Sequence, residues 1–112
     1  MKEVFDRVKT HLLAQGARAR NDEGLCLFHA PSGLKCAVGC LITEEAYSDE
    51  SLEGYSLWEP EVSTALGASG IVDDPRTLDM LHRLQNIHDC LSPTAWEVAL
   101  DDLETKLFKQ GE

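Results

Sequence analysis

The stretch KCAVGCLI, residues 35 to 42, decides the fold. Within it, Ala37 to Ile42 forms the longest uninterrupted apolar run of the chain, counting Gly39. Extended, it is the second arm of a β-hairpin. Coiled, it is a helical turn, and any hairpin must end near Lys35. The residues before it favour the extended reading. Leu25 to His29 supply a first short strand, and Pro31-Ser32-Gly33 supply turn chemistry, because proline fixes φ and glycine accepts positive φ. The sequence therefore predicts a hairpin over about 25–38. A lone hairpin is marginal in water, so this one must lie on helices.

The flanking sequence is helical. Val4, Phe5, Val8, Leu12 and Leu13 recur at helical spacing over residues 2–15, and Gly16 is a stop. The polar stretch GARARNDEG that follows reads as a loop. Residues 43–57 have no clean period and read as an irregular acidic segment anchored by Tyr47, Leu52 and Tyr55. Pro60 starts a short helix over about 59–67, closed by the Gly67-Ala68-Ser69-Gly70 turn. Asp74 can cap and Pro75 fits the first turn of a helix over 75–91, whose stripe is Leu78, Leu81, Leu84, His88 and Leu91. Ser92-Pro93 repeats that signal before a last helix over 93–109, with Trp96, Ala99, Leu100, Leu103 and Leu107 on its apolar face. The expected fold class is α+β: a mostly helical single domain spanning residues 1–112, with one small β-hairpin packed on helices.

At 112 residues the chain suits one domain, and its composition, 43% hydrophobic and 27% charged, is globular. No apolar run approaches the roughly 20 residues of a membrane span. MKEVFDRVKTHLL carries Glu3 and Asp6 and lacks an apolar secretory segment. The expectation is a cytoplasmic protein with reduced cysteines. The net charge is −10, and it is concentrated: residues 43–79 hold ten acids against Arg76 alone. Such a field repels phosphate backbones, which argues against nucleic acid, and attracts basic protein surfaces.

Four cysteines and four histidines carry the candidate chemistry. Cys36 and Cys40 share a face in either conformation, but the separation differs. In a strand their Cα atoms stand roughly 13 Å apart. On a helix the Cβ atoms approach to about 5–6 Å, within reach of one metal ion. A zinc site would need further ligands, and the weak candidate set is Cys26, Cys36, Cys40 and His88, with His29 and Cys90 nearby in sequence. The spacing of two close cysteine pairs is absent, and buried free cysteine usually acts as a small hydrophobe. His88 falls on the apolar stripe of its helix, where a neutral, hydrogen-bonded ring is the ordinary state. The sharper alternative couples it to Cys36 or Cys40 as a thiolate–imidazole pair. Asp89, turned about 100° from His88, is poorly placed to orient that ring. His11 and His82 read as solvated, and Trp58 and Trp96 as core anchors, since no basic groove accompanies them.

Several of these pieces occur together: Cys26-Leu27-Phe28 before a glycine turn, KCAVGCLI, Tyr47, Glu53-Gly54, and Leu84-Gln85-Asn86-Ile87-His88-Asp89 with Trp96 downstream. In this the chain resembles a family of small bacterial and bacteriophage proteins with a CAVGCLI core and an LQ-x-x-HD helix. Thr43 replaces the proline that commonly follows the Leu-Ile pair, and Phe28-His29 replaces the usual Tyr-Arg. The family has no assigned activity, so the resemblance implies a bacterial or prophage setting and no functional residues.

The leading expectation is a protein-binding molecule without catalysis or cofactor, meeting a basic partner surface through Glu44, Glu45, Asp49, Glu50 and Glu53. The alternatives are a thiol-dependent enzyme using Cys36 or Cys40 with His88, and a small domain with a structural zinc site.

Overall fold

The computed structural model describes residues 2–20, 27–30, 32–47, 59–71 and 74–109. Helix α1 spans Lys2–Gln15, α2 Pro60–Ala68, α3 Pro75–Cys90 and α4 Trp96–Glu104. A 3-10 turn at Gly39–Leu41 lies between α1 and α2, and another at Pro93–Ala95 leads into α4. Beyond α4 the chain widens into a π-helical turn over Thr105–Lys109.

The helix starts follow local chemistry. The Asp74 side chain accepts a hydrogen bond from the Arg76 N–H while Pro75 occupies the first turn, which has no N–H to satisfy. Pro60 likewise occupies the first turn of α2, behind an extended Glu59 whose side chain makes no capping bond. Because α1 and α4 lie side by side, one stripe of each faces the core: Phe5, Val8 and Leu12 from α1, and Trp96, Leu100 and Leu103 from α4. From α3 come Met80, Leu81, Leu84 and His88, and from the 36–42 segment Cys36, Ala37, Val38, Leu41 and Ile42. Leu13 and Leu91, expected on apolar stripes, are 39% and 37% exposed. At the rim, Lys9 contacts Asp101 (2.6 Å) and Glu104 (2.9 Å), and Lys2 contacts Glu104 (2.8 Å), tying α1 to α4.

The expected hairpin over 25–38 is not formed, and the described residues contain no strand or sheet, so the α+β assignment is corrected to a helical fold. The chain does reverse where Pro31-Ser32-Gly33 called for it. Gly33 takes φ +93°, its N–H meets the Ala30 carbonyl at 2.9 Å, and Ala30 N–H meets the Leu34 carbonyl at 2.8 Å. The ladder then stops at one antiparallel bridge, His29 to Lys35.

Two features shape this region. Gln15, at the end of α1, uses its side-chain amide as a strand would use its backbone: Lys35 N–H donates to Gln15 Oε1 at 2.9 Å, and Gln15 Nε2 donates back to the Lys35 carbonyl at 2.9 Å. These groups of Lys35 point away from His29, so Gln15 closes the outer edge of the bridge as a third strand would, while on the inner side the Cys36 N–H still reaches the Phe28 carbonyl at 3.3 Å. The following residues coil instead. Cys40 N–H reaches the Cys36 carbonyl (2.9 Å), Leu41 that of Val38 (3.0 Å) and Ile42 that of Gly39 (3.1 Å). The coil presses directly on Phe28: a Cβ at Gly39 would lie 2.0 Å from the Phe28 carbonyl oxygen. Only glycine permits that approach.

Candidate functional site

The helical turn puts Cys36 and Cys40 one turn apart on a coil, the arrangement that would permit a shared ion. Each thiol is nevertheless occupied by its own backbone. Cys36, 1% exposed, accepts the Gly39 N–H on Sγ at 3.3 Å. Burial pushes its thiol up to about 12, against the opposing pull of the Gly39 N–H and Gln85. Cys40 is half-buried and donates its S–H to the Ala37 carbonyl at 3.1 Å. Burial raises it to about 12 as well, the nearby charges of Arg7 and Lys35 notwithstanding. Burial therefore favours the protonated thiol at both positions, the opposite of what activates a cysteine.

His88 is fully buried and lies against the Trp96 ring, with centroids 5.5 Å apart and planes 27° from parallel. The Ala19 N–H donates to its Nε2 at 3.0 Å, so that nitrogen carries a lone pair and no proton. Its Nδ1–H therefore donates to Asp89 Oδ1, at 2.6 Å. The ring is a neutral Nδ1–H tautomer with both nitrogens committed, and neither is left for a thiol. Asp89 does orient the ring, contrary to expectation. Although neighbours on a helix diverge, the short Asp89 side chain folds back along the helix, where Gln85 Nε2, one turn earlier, holds the same oxygen at 3.0 Å. Gln85 Oε1 in turn accepts the Val38 N–H at 3.0 Å. The result is one connected polar chain through Val38, Gln85, Asp89, His88 and Ala19. It joins the 36–41 coil, α3 and the loop after α1 through the core.

Next to it lies a second anchor. Leu91, at the end of α3, offers one carbonyl to Arg18 Nη2 (2.6 Å), Arg18 Nε (3.2 Å) and Trp96 Nε1 (3.2 Å). A guanidinium is well placed at a helix C-terminus, where carbonyls lack partners. Gln15, Gln85 and Arg18 were not singled out in the sequence. For Gln85 a signal existed, since Gln85 and Asp89 are four apart on a helix. For Gln15 and Arg18 the partners lie 20 and 73 residues away, and no local pattern announces them.

His29 is also turned inward. Its Nε2–H points at the carbonyls of Gly39 (2.8 Å) and Ile42 (3.1 Å), and its ring lies 4.2 Å from that of Tyr47. His11, expected in solvent, is half-buried and donates Nε2–H to the Lys35 carbonyl at 2.8 Å. His82 is exposed.

Of the weak zinc candidates, Cys26 lies outside the described residues, and Cys36, Cys40 and His88 are engaged as above. Among the described residues no group of three or more His, Cys, Asp or Glu side chains is arranged to hold a metal ion. Among them too, no helix is long and apolar enough to cross a membrane.

The acidic turn begins at Thr43, whose N–H is held by Ser69 Oγ at 3.0 Å. Glu44 and Glu45 are exposed. Glu44 reaches back to Lys35 at 3.1 Å, and that hydrogen bond holds its carboxyl below the usual range. Asp49, Glu50 and Glu53, like Trp58, lie outside the described residues. Comparison with family models, curated proteins and solved structures finds no match to this chain.

Proposed function

We propose that this is a protein-binding molecule without catalysis of its own, which meets a basic partner surface through its acidic segment in a bacterial cytoplasm, that of a host or of a prophage carrier. The observation that carries this reading is the run of ten acids against one base over residues 43–79. Supporting it, Glu45, Glu59, Glu61 and Asp79 all lie exposed around that segment. The groups that could have formed a catalytic pair, Cys36, Cys40 and His88, are spent on internal hydrogen bonds that build the core. Charge of one sign on a fixed surface raises the rate of encounter with a complementary partner and is screened by salt.

The test is capture from a bacterial lysate on the immobilised chain at about 50 mM and about 500 mM salt, spanning Debye lengths from roughly 14 to 4 Å. The wild-type chain should retain a partner at the lower salt and lose it at the higher. A variant carrying Glu44→Lys, Glu45→Lys and Glu53→Lys should retain none. A partner held equally at both salts and by the variant would defeat this reading, as would no partner at all.

A further inference from the structure

We propose that His88 is a proton-operated latch, which fastens the segment after α1 to α3 and releases it in mild acid. Ala19 is fully buried, and its N–H is held by His88 Nε2 at 3.0 Å. The ring is enclosed as well, against Trp96, with its Nδ1–H committed to Asp89 at 2.6 Å. A second ring proton can enter only at Nε2, where it sets one donor against another. Proton uptake and loss of the Ala19 bond are therefore one event.

The charged ring keeps a partner after release. Asp89 accepts the Nδ1–H of the neutral ring and pairs with the imidazolium, and Gln85 Nε2 holds the same oxygen at 3.0 Å. The latched form has no room for the proton and the released form has a counter-charge for it, so falling pH favours release. Imidazole is the side chain whose charge ordinarily changes between about pH 5 and about pH 8. The other groups packed around the ring leave this sign unchanged. Arg18, 2.6 Å from the Leu91 carbonyl, repels an imidazolium while the segment is closed, and opening relieves that repulsion. Arg20 is exposed. Cys36, on the coil, is near enough to Asp89 to feel its charge but stays a neutral thiol throughout this range. From α4 comes the Trp96 ring, with Glu97 exposed, and α1 turns Phe5, Val8 and Leu12 inward. Lys2 and Lys9 still tie α1 to α4, which keeps the opening local.

The experiment is an NMR titration of the ¹³C,¹⁵N-labelled chain from about pH 8 to about pH 5, with amide exchange corrected for its intrinsic pH dependence. The His88 ring and the Ala19 amide should move with one midpoint. Protection at Ala19 should fall at least about tenfold across the range, as a step coupled to one proton allows, while Leu100 in α4 keeps its protection. Asp89→Asn removes the counter-charge of the imidazolium and should lower the midpoint by about one pH unit or more. His88→Gln offers the Ala19 N–H an oxygen that does not titrate, and should hold protection level; if that variant does not fold, the Asp89→Asn shift decides. A His88 ring still neutral at about pH 5, a ring that charges while Ala19 stays protected, or a midpoint unmoved in Asp89→Asn would overturn the latch. So would an Ala19 transition that persists in His88→Gln, or one that Leu100 shares.

Discussion

Replacing Gly39 by alanine should destabilise the fold more than any other single-methyl addition at a described glycine. The added Cβ would stand 2.0 Å from the Phe28 carbonyl oxygen, 2.6 Å from its carbon and 2.8 Å from its Cα. All three are backbone atoms, so no rotamer change relieves the overlap, and the coil must retreat by about 1.4 Å, from 2.0 to 3.4 Å, to reach ordinary contact. That retreat strains several bonds at once. Phe28 O accepts the Cys36 N–H at 3.3 Å, Gly39 N–H is held by Cys36 Sγ at 3.3 Å, and Gly39 O receives His29 Nε2 at 2.8 Å and the Ile42 N–H at 3.1 Å. Loss of two such bonds at about 1 kcal/mol each, with about 1–3 kcal/mol for overpacking, gives about 3–5 kcal/mol. For a domain of this length that is about 15 °C in Tm, a large share of a typical total stability of about 5–15 kcal/mol. Urea unfolding followed by tryptophan fluorescence and circular dichroism measures it. Gly67→Ala is the matched control: it lies within α2 with nothing within 4 Å of its Cβ, and it should gain up to about 1 kcal/mol. If Gly39→Ala costs less than about 1 kcal/mol, the coil does not lie against Phe28 as described, and the account of why the hairpin ends at Lys35 fails with it.

Three further outcomes follow from the core. His88→Ala removes the ring from beside Trp96 and leaves the Ala19 N–H buried without an acceptor, so it should cost about 3–5 kcal/mol in the same unfolding assay. Stability should fall as pH rises from about 9 to about 12. The unfolded thiols of Cys36 and Cys40 ionise near 9.0 while the folded ones hold their protons to about 12, so Cys36→Ser should make that limb of the stability–pH curve shallower and Cys36→Ser with Cys40→Ser should flatten it. On the acid side the sign reverses. Lys2 and Lys9 hold Glu104 down to about 2, so the stability it contributes is complete above about 4.5 and is lost as pH falls from there toward 2, and Glu104→Gln should remove that part of the acid transition.

The parts of this fold that the sequence announces are those governed by neighbours in the chain. Asp74 and Pro75 mark the start of α3 because a cap and a first turn need no distant partner. The apolar spacing of Phe5, Val8 and Leu12 marks α1 for the same reason. The 25–42 region behaves differently. Its residues meet every local requirement of a hairpin up to Gly33, and the turn forms there. What ends the ladder is a coil that begins at Cys36 and lies on Phe28 through a glycine, while a glutamine 20 residues earlier covers the outer edge of Lys35 where a third strand would pair. Neither is a property of a strand or of a turn, and the glutamine's part appears only once α1 is in position.

The candidate site divides in the same way. Burial of the thiols and of His88 follows from their apolar neighbours. The identity of their partners does not, because Ala19 and Val38 act through backbone N–H groups that every residue but proline carries. That asymmetry also accounts for the pattern of polar residues in the core. Gln85, His88 and Asp89 lie within little more than one turn of one helix, yet their outer bonds go to the loop after α1 and to the 36–41 coil, two segments without strands or long helices of their own. A helix can present side chains at a fixed rise of about 1.5 Å per residue, so little more than one turn of α3 suffices to hold both irregular segments in register. Buried polar groups of this kind cost stability when any member is removed and specify a single arrangement when all are present. Among the described residues there is no sheet, and these bonds stand where one would otherwise supply that specification.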